Sequence, residues 1–182
     1  DNIAWGITNM MVDDCDYFIE KIDSTNKRKY ILPSGASRAF TVVRDTIFVK
    51  DSSEAIIDFR YTQRSAVISD AHPYLHPDKV FKKNGLNRPA KKDFFQQYVL
   101  SYSWTGHDMS DEILAMYRLQ KAKNWEQFLR AVNIFTVPGL NFTYADENGN
   151  IGVAPSGSIP ERGPSCDPNF PNPGWEAASQ WQ

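Results

Sequence analysis

The sequence predicts an α+β protein, mainly antiparallel β-sheet with a short two-helix insert. Three observations carry this. Short stretches rich in β-branched and aromatic residues alternate with turn signals up to Trp104. The period then changes to helical spacing over residues 108–134. Beyond it, Asn148-Gly149 lies between two alternating stretches, a strong hairpin signal.

Composition bounds the answer. At 182 residues the chain is long enough for a real core, and 41% hydrophobic with 13% aromatic residues excludes disorder. Lys+Arg 20 against Asp+Glu 22 gives a net charge of −2. With no basic run to track a phosphate backbone, nucleic-acid binding is excluded as a reading. No apolar run is long enough for a bilayer-spanning helix. The chain begins abruptly inside a strand pattern with no visible signal peptide, which reads as a piece cut from a longer protein.

The opening Ile3 to Asp16 begins as a strand and ends in an acidic turn. Gly6 after Trp5 lets another backbone come close. Asp13, Asp14 and Asp16 crowd like charge that water, a helix N-terminus or a cation must relieve. A solvated turn and a calcium-type site both remain open from these residues. Strands are expected at Tyr17–Ile22, Tyr30–Leu32, Phe40–Lys50, Ala55–Gln63 and Gln97–Trp104, with Ala66–Ser69 closing the meander. Residues 71–93, rich in Pro, Lys and Asn, read as an irregular surface excursion. Asp108 is the expected N-cap of the first helix, with Ile113, Leu114, Met116, Tyr117 and Leu119 at helical spacing. Asn124 with Gln127 resembles a capping box before the stripe Trp125, Phe128, Leu129, Val132. Residues 155–182 read as a Pro-rich extended tail. Cys15 and Cys166 form no CxxC pair and read as reduced buried thiols. His72, His76 and His107 lack zinc-motif spacing.

Four segments, in order, carry a resemblance. They are Ile3-Ala4-Trp5-Gly6-x-Thr8 with Asp13-x-x-Asp16; Lys121-Ala122-Lys123-Asn124-Trp125; Tyr144-Ala145-Asp146-x-Asn148-Gly149-Asn150-Ile151-Gly152 with Gly157, Pro160 and Arg162; and Asp167-Pro168-x-x-Pro171-x-Pro173-Gly174-Trp175. Together they resemble the penicillin acylase (penicillin amidase) family of N-terminal nucleophile (Ntn) hydrolases, over a middle part of the large (β) subunit. The resemblance implies a fragment of an αββα Ntn-hydrolase fold. It also implies linear-amide hydrolysis of an N-acyl small molecule, such as a β-lactam side chain or an acyl-homoserine lactone. The nucleophile would be the first residue of the β subunit, freed by autocatalytic cleavage of a zymogen, and would lie roughly 60 residues before Asp1. The side-chain Asn of the oxyanion hole would lie past Gln182. The fragment alone is expected to be inactive, its partners the small (α) subunit and the rest of the β subunit.

Three supporting roles follow from the resemblance. The position of Asn9 gives its backbone N–H to the oxyanion. Calcium would be ligated by Asp13, the Cys15 carbonyl, Asp16 and the Pro168 carbonyl, with further carboxylates from elsewhere, so binding by the fragment is expected to be weak or absent. The acyl pocket would be lined by Ile7, Met11, Met116 and Leu140, which are aliphatic or Met where phenylacetyl-preferring members place aromatics. A flexible aliphatic acyl group is the expected substrate. Two further expectations follow, the first going beyond the family and the second attached to it. Cys15 and Cys166, both brought near one ion, would form a disulfide. The parent would be periplasmic or secreted. Many members have His-Gly where this chain has Arg64-Ser65, which puts the local turn in question. The rivals are a non-catalytic β-rich binding or sensor module, or a relative that has lost its nucleophile. Propellers repeat at roughly 40–50 residues, whereas this hairpin occurs once.

Overall fold

The structure is a computed structural model that describes residues 2–71 and 94–182. The expected excursion, with His72 and His76, therefore falls outside the described residues apart from Ala71. In chain order the elements are β1 (Ile3–Asn9), β2 (Cys15–Lys21), β3 (Lys29–Ile31), β4 (Ser37–Ala39), β5 (Thr41–Ile47), β6 (Ala55–Tyr61), α1 (Phe94–Gln97), β7 (Tyr98–Trp104), α2 (Glu112–Lys121), α3 (Trp125–Val132), β8 (Leu140–Asp146), β9 (Ile151–Ser156) and β10 (Asn172–Pro173). Short 3-10 turns lie at Ile68–Ala71, Thr105–His107 and Ala177–Ser179. The chain folds as two compact units: Asp1–Cys15 with Trp104–Glu161, and Asp16–Ser103 with Arg162–Gln182.

The first unit is an antiparallel sheet, β1-β8-β9, with α2 and α3 on one face. Alternation puts Ile3, Trp5, Ile7 and Asn9 on the same face as Leu140, Phe142 and Tyr144, which stand opposite or diagonal to them. That is the covered face. Phe142, Tyr144 and Ala154 pack with Ala115, Leu119, Phe128, Ala131 and Val132 from the helices. The Trp125 ring stacks on Phe128 at 5.3 Å between centroids and meets Tyr144 edge-on at 5.1 Å. A Cβ on Gly152 would lie 2.8 Å from that indole, so only glycine fits beneath it. The β8–β9 hairpin forms as expected, with Gly149 at φ +84°, and Asp146 gathers the Asn148 and Asn150 N–H groups at 3.0 Å each.

Asn124 caps α3, accepting from Gln127 N–H at 3.0 Å, while the Gln127 side chain accepts from Lys123 N–H at 2.9 Å. Asp108 does not cap α2. Its N–H closes the preceding 3-10 turn on the Thr105 carbonyl at 3.3 Å, and the helix begins at Glu112 after Asp111.

The second unit is built around β2, which lies between β7 and β10. Its buried residues include Asp16, Phe18, Glu20 and Ile22, so two carboxylates share one face with two hydrophobes. A smaller apolar cluster of Ile22, Tyr30, Phe40, Val67 and Val99 adjoins them. The hairpins β3–β4 and β5–β6 complete the unit. The tail is more organised than an extended coil. Residues Asn172–Pro173 pair in parallel with Phe18–Ile19. The buried Asn172 side chain accepts from Asp167 N–H at 2.7 Å and donates to the Asp167 carbonyl at 2.9 Å, closing the proline-rich loop on itself.

Candidate functional site

The end of β1 is where the sequence places the oxyanion donor. Met10 N–H donates to the Gly139 carbonyl at 3.1 Å, and Glu147 N–H donates to the Asn2 carbonyl at 3.2 Å. Antiparallel pairs alternate between bonded and non-bonded, so the even residues of β1 face β8 through their peptide groups. The Asn9–Leu140 pair is of the non-bonded kind. Asn9 N–H is thereby directed away from β8, toward the edge that β1 presents among the described strands.

The residues after it hold this geometry. Asn9 Oδ1 accepts from Met11 N–H at 2.9 Å, closing a turn over Met10. Met11 sits at φ +56°, a left-handed conformation unfavourable for a non-glycine side chain. Its side chain is 81% exposed. Behind the turn, a Cβ on Gly139 would come within 2.4 Å of Val12 Cγ2, and one on Gly157 within 2.8 Å of Gly139 Cα. The Val12 side chain and the Gly157 backbone thus both press directly on Gly139.

Glu112 anchors the approach to Gly139, a role the sequence reading missed. Its Oε1 accepts from Thr136 Oγ1 at 2.6 Å and from the Thr136 and Val137 N–H groups at 3.2 and 3.1 Å. These bonds, the Thr136 hydroxyl foremost, bring its pKa down to about 2. Periodicity alone marks residue 112 only as a first-turn acid, and its partners lie 24 and 25 residues away.

Of the four predicted pocket residues, Ile7 and Leu140 share the helix-covered face, and Leu140 and Met116 pack partly buried against the aromatic core. Ile7 is 48% exposed at the open end of its row. Met11 stands out on the turn beyond. A cavity of ≈ 400 Å³ beside the turn is lined by Met10, Asn133, Phe135, Thr136, Pro155, Ser156 and Gly157 instead.

The acidic turn is relieved by protein donors. Asp14 Oδ2 accepts from Trp104 Nε1 at 3.2 Å, and its carbonyl from Thr105 N–H at 3.1 Å. In the second unit the buried Asp16 accepts from Arg162 Nε at 2.8 Å, Arg162 Nη2 at 3.2 Å and Trp181 Nε1 at 2.6 Å. The predicted calcium donors divide between the units, Asp13 and Cys15 in the first, Asp16 and Pro168 in the second. Their oxygens suit calcium in type. Asp16 faces the Arg162 guanidinium, and no group of three or more His, Cys, Asp or Glu gathers among the described residues. The expected Cys15–Cys166 disulfide is not formed. Cys166 keeps a free thiol whose Sγ lies 3.8 Å from Asp16 Oδ2, and burial there raises its pKa.

The Arg64-Ser65 departure has a physical account. Arg64 donates to the fully buried Glu20 and to Gln180, and its guanidinium lies 4.2 Å over the Phe18 ring. Glu20 also accepts from Ser101 Oγ at 2.8 Å. Ser65 closes a tight turn, accepting from Thr62 N–H at 2.9 Å, and has no need of a positive φ.

The family model for penicillin amidase matches residues 1–182. Among curated proteins, penicillin G acylase of Escherichia coli is 29% identical over 174 residues, covering 94% of this chain and 18% of that protein. Acyl-homoserine lactone acylase QuiP of Pseudomonas aeruginosa is 26% identical over 181 residues, covering 98% of this chain and 20% of its own length. Among solved structures, a thermostable penicillin G acylase from Alcaligenes faecalis, in orthorhombic form, superposes with a TM-score of 0.76 at 23% identity, covering 99% of this chain and 28% of that one. The chain thus spans about a fifth of the length of the curated relatives it matches.

Proposed function

Because the chain belongs to the penicillin amidase family and has the fold of its Ntn-hydrolase members, we propose that it is the scaffold part of a larger acylase that hydrolyses a linear amide. The observation that carries this is the outward Asn9 N–H at the edge of β1, held by the Asn9–Met11 turn. In the proposed reaction a hydroxyl nucleophile outside this chain attacks the amide carbonyl. Its proton passes to the nucleophile's own α-amino group. The carbonyl oxygen becomes an oxyanion, and Asn9 N–H donates to it. Collapse expels the amine, which leaves with that proton, and water then releases the acyl group by the same path in reverse.

Ile7, Met116 and Leu140, with Met11 on the adjoining turn, would receive the acyl chain. Their flexible side chains favour an aliphatic group over a flat ring. No step runs through a metal. Calcium, with Asp13, Asp16 and the Cys15 and Pro168 carbonyls as this chain's share of its donors, stays in the proposal as a stabiliser. The parent must supply the missing carboxylates, and calorimetric titration of the parent with Ca²⁺ checks it. A self-cleaving precursor and an exported location complete the reading by resemblance.

The test is Asn9→Pro in the parent protein. Position 9 donates nothing to β8, so the imino ring removes the outward donor while leaving the ladder intact. Expected is a fall in kcat of about 10²–10³ with KM little changed. Asn9→Ala, which keeps the N–H and loses only the turn bond, should lose much less. Equal losses in the two variants would sink the donor role. Faster turnover of phenylacetyl than of octanoyl amides, compared as kcat/KM, would sink the aliphatic pocket.

A further inference from the structure

The β5–β6 hairpin has two unlike faces. Register sets Val43 opposite Phe59, Asp45 opposite Ile57 and Ile47 opposite Ala55, and these point to one side. On the other side lie Val42 with Arg60, Arg44 with Asp58 and Thr46 with Ile56. That second side is tied by ion pairs: Arg44 grips Asp58 through two bonds of 2.7 and 2.9 Å, and Arg60 reaches Asp70 at 2.8 Å. Its two hydrophobes, Val42 and Ile56, stand 56% and 63% exposed among these charges. The first side carries Val43, Ile47, Ile57 and Phe59 with the lone carboxylate of Asp45, and the four hydrophobes are 37–48% exposed. Two packed strands usually leave one apolar face only where another element covers it.

Resting on the reading above, we propose that this face is an internal docking surface for the rest of the same acylase polypeptide. Its occupant is an apolar segment that brings a cation or N–H donor to Asp45. Two facts favour that occupant over a second copy. The face is small: two seven-residue strands offer about 24 Å by 10 Å. A standard association between separate proteins needs roughly 800 Å² from each partner. By itself a patch this size falls short of that area, but it can seat a segment already tethered by many other contacts. The chain also covers only 18% and 28% of the penicillin G acylases it matches, so most of a whole acylase remains to supply that segment.

Hydroxyl-radical footprinting read by mass spectrometry tests this without a mutation. The 182-residue chain and the parent acylase are oxidised side by side, each also weighed by light scattering. Expected is at least fivefold slower oxidation of Ile57 and Phe59 in the parent than in the chain, with Val42 and Ile56 oxidised alike in both. Equal rates at Ile57 and Phe59 in the two samples would overturn the assignment. So would protection already present in the chain alone together with a dimeric mass, which would give the face to a second copy. The readout needs no catalysis. An inactive parent with a protected hairpin would break only the functional reading, and an active parent with an oxidised hairpin would break only the docking surface.

Discussion

The two units bury different chemistry. The first covers one sheet face with two helices, and its buried cluster is hydrocarbon and aromatic rings, from Ala115 and Phe128 to Phe142 and Tyr144. The second buries Asp16, Glu20, Ser101 and Asn172 on and around β2. A hydrocarbon core loses stability in proportion to what is cut away. A buried ion pair contributes little net energy when intact yet fails sharply when one partner goes, because the other charge is stranded out of water. The second unit should therefore be the brittle one, and graded substitutions can break or sharpen that contrast.

The largest effect is expected at Arg64. Arg64→Met leaves Glu20, 0% exposed, with Ser101 as its remaining partner. The loss should be about 3–5 kcal/mol, measured by urea unfolding. The double variant Arg64→Met with Glu20→Met should recover most of it. If the double variant is as damaged as the single, the pair is not what makes the unit brittle. In the first unit Val132→Ala, at a fully buried helix position, should cost about 2 kcal/mol, with no rescue by charge changes nearby. Smaller again, Asn124→Ala removes the α3 cap and should cost about 1 kcal/mol. Asn124→Asp should cost far less, since a carboxylate oxygen caps as well.

The same contrast explains what the sequence made legible. The β8–β9 hairpin and the Asn124 cap depend on residues within a few positions of each other, and both could be read directly. So could the strand that opens the chain. What escaped was non-local. Arg64 and Glu20 are 44 residues apart, Asp16 and Arg162 146, and no periodicity joins them. Asp108 was misplaced as a cap because the Thr105 turn competes for its peptide group. The tail's prolines suggested coil, whereas the Asn172 side chain closes the loop through partners at 167 and 170. For the candidate site, the resemblance could point to position 9 but not to the direction of its N–H. That direction depends on which pairs of β1 and β8 exchange hydrogen bonds, a property of register that neither strand contains by itself.

Acid should give the smallest of these effects, and Glu112 is the place in the first unit to read it. Its carboxylate is held at about 2, below the ordinary value of 4.5, by the Thr136 hydroxyl first and with further help from Ser110. The folded state therefore favours the ionised form. The resulting stability is fully present above the ordinary carboxylate range and drains away as pH falls from about 5 toward 2. Asp146 in the same unit, and Asp23 and Asp58 in the other, are likewise lowered by hydrogen bonds, so the whole chain should lose stability on acidification. Glu112→Gln isolates one contribution. Its Tm should lie below that of the native chain at pH 6, and the gap should close by pH 2, where the native carboxyl is itself becoming neutral. A gap that stays constant across that range would mean that the side chain's shape, and not its charge, holds Thr136 and Val137 in place.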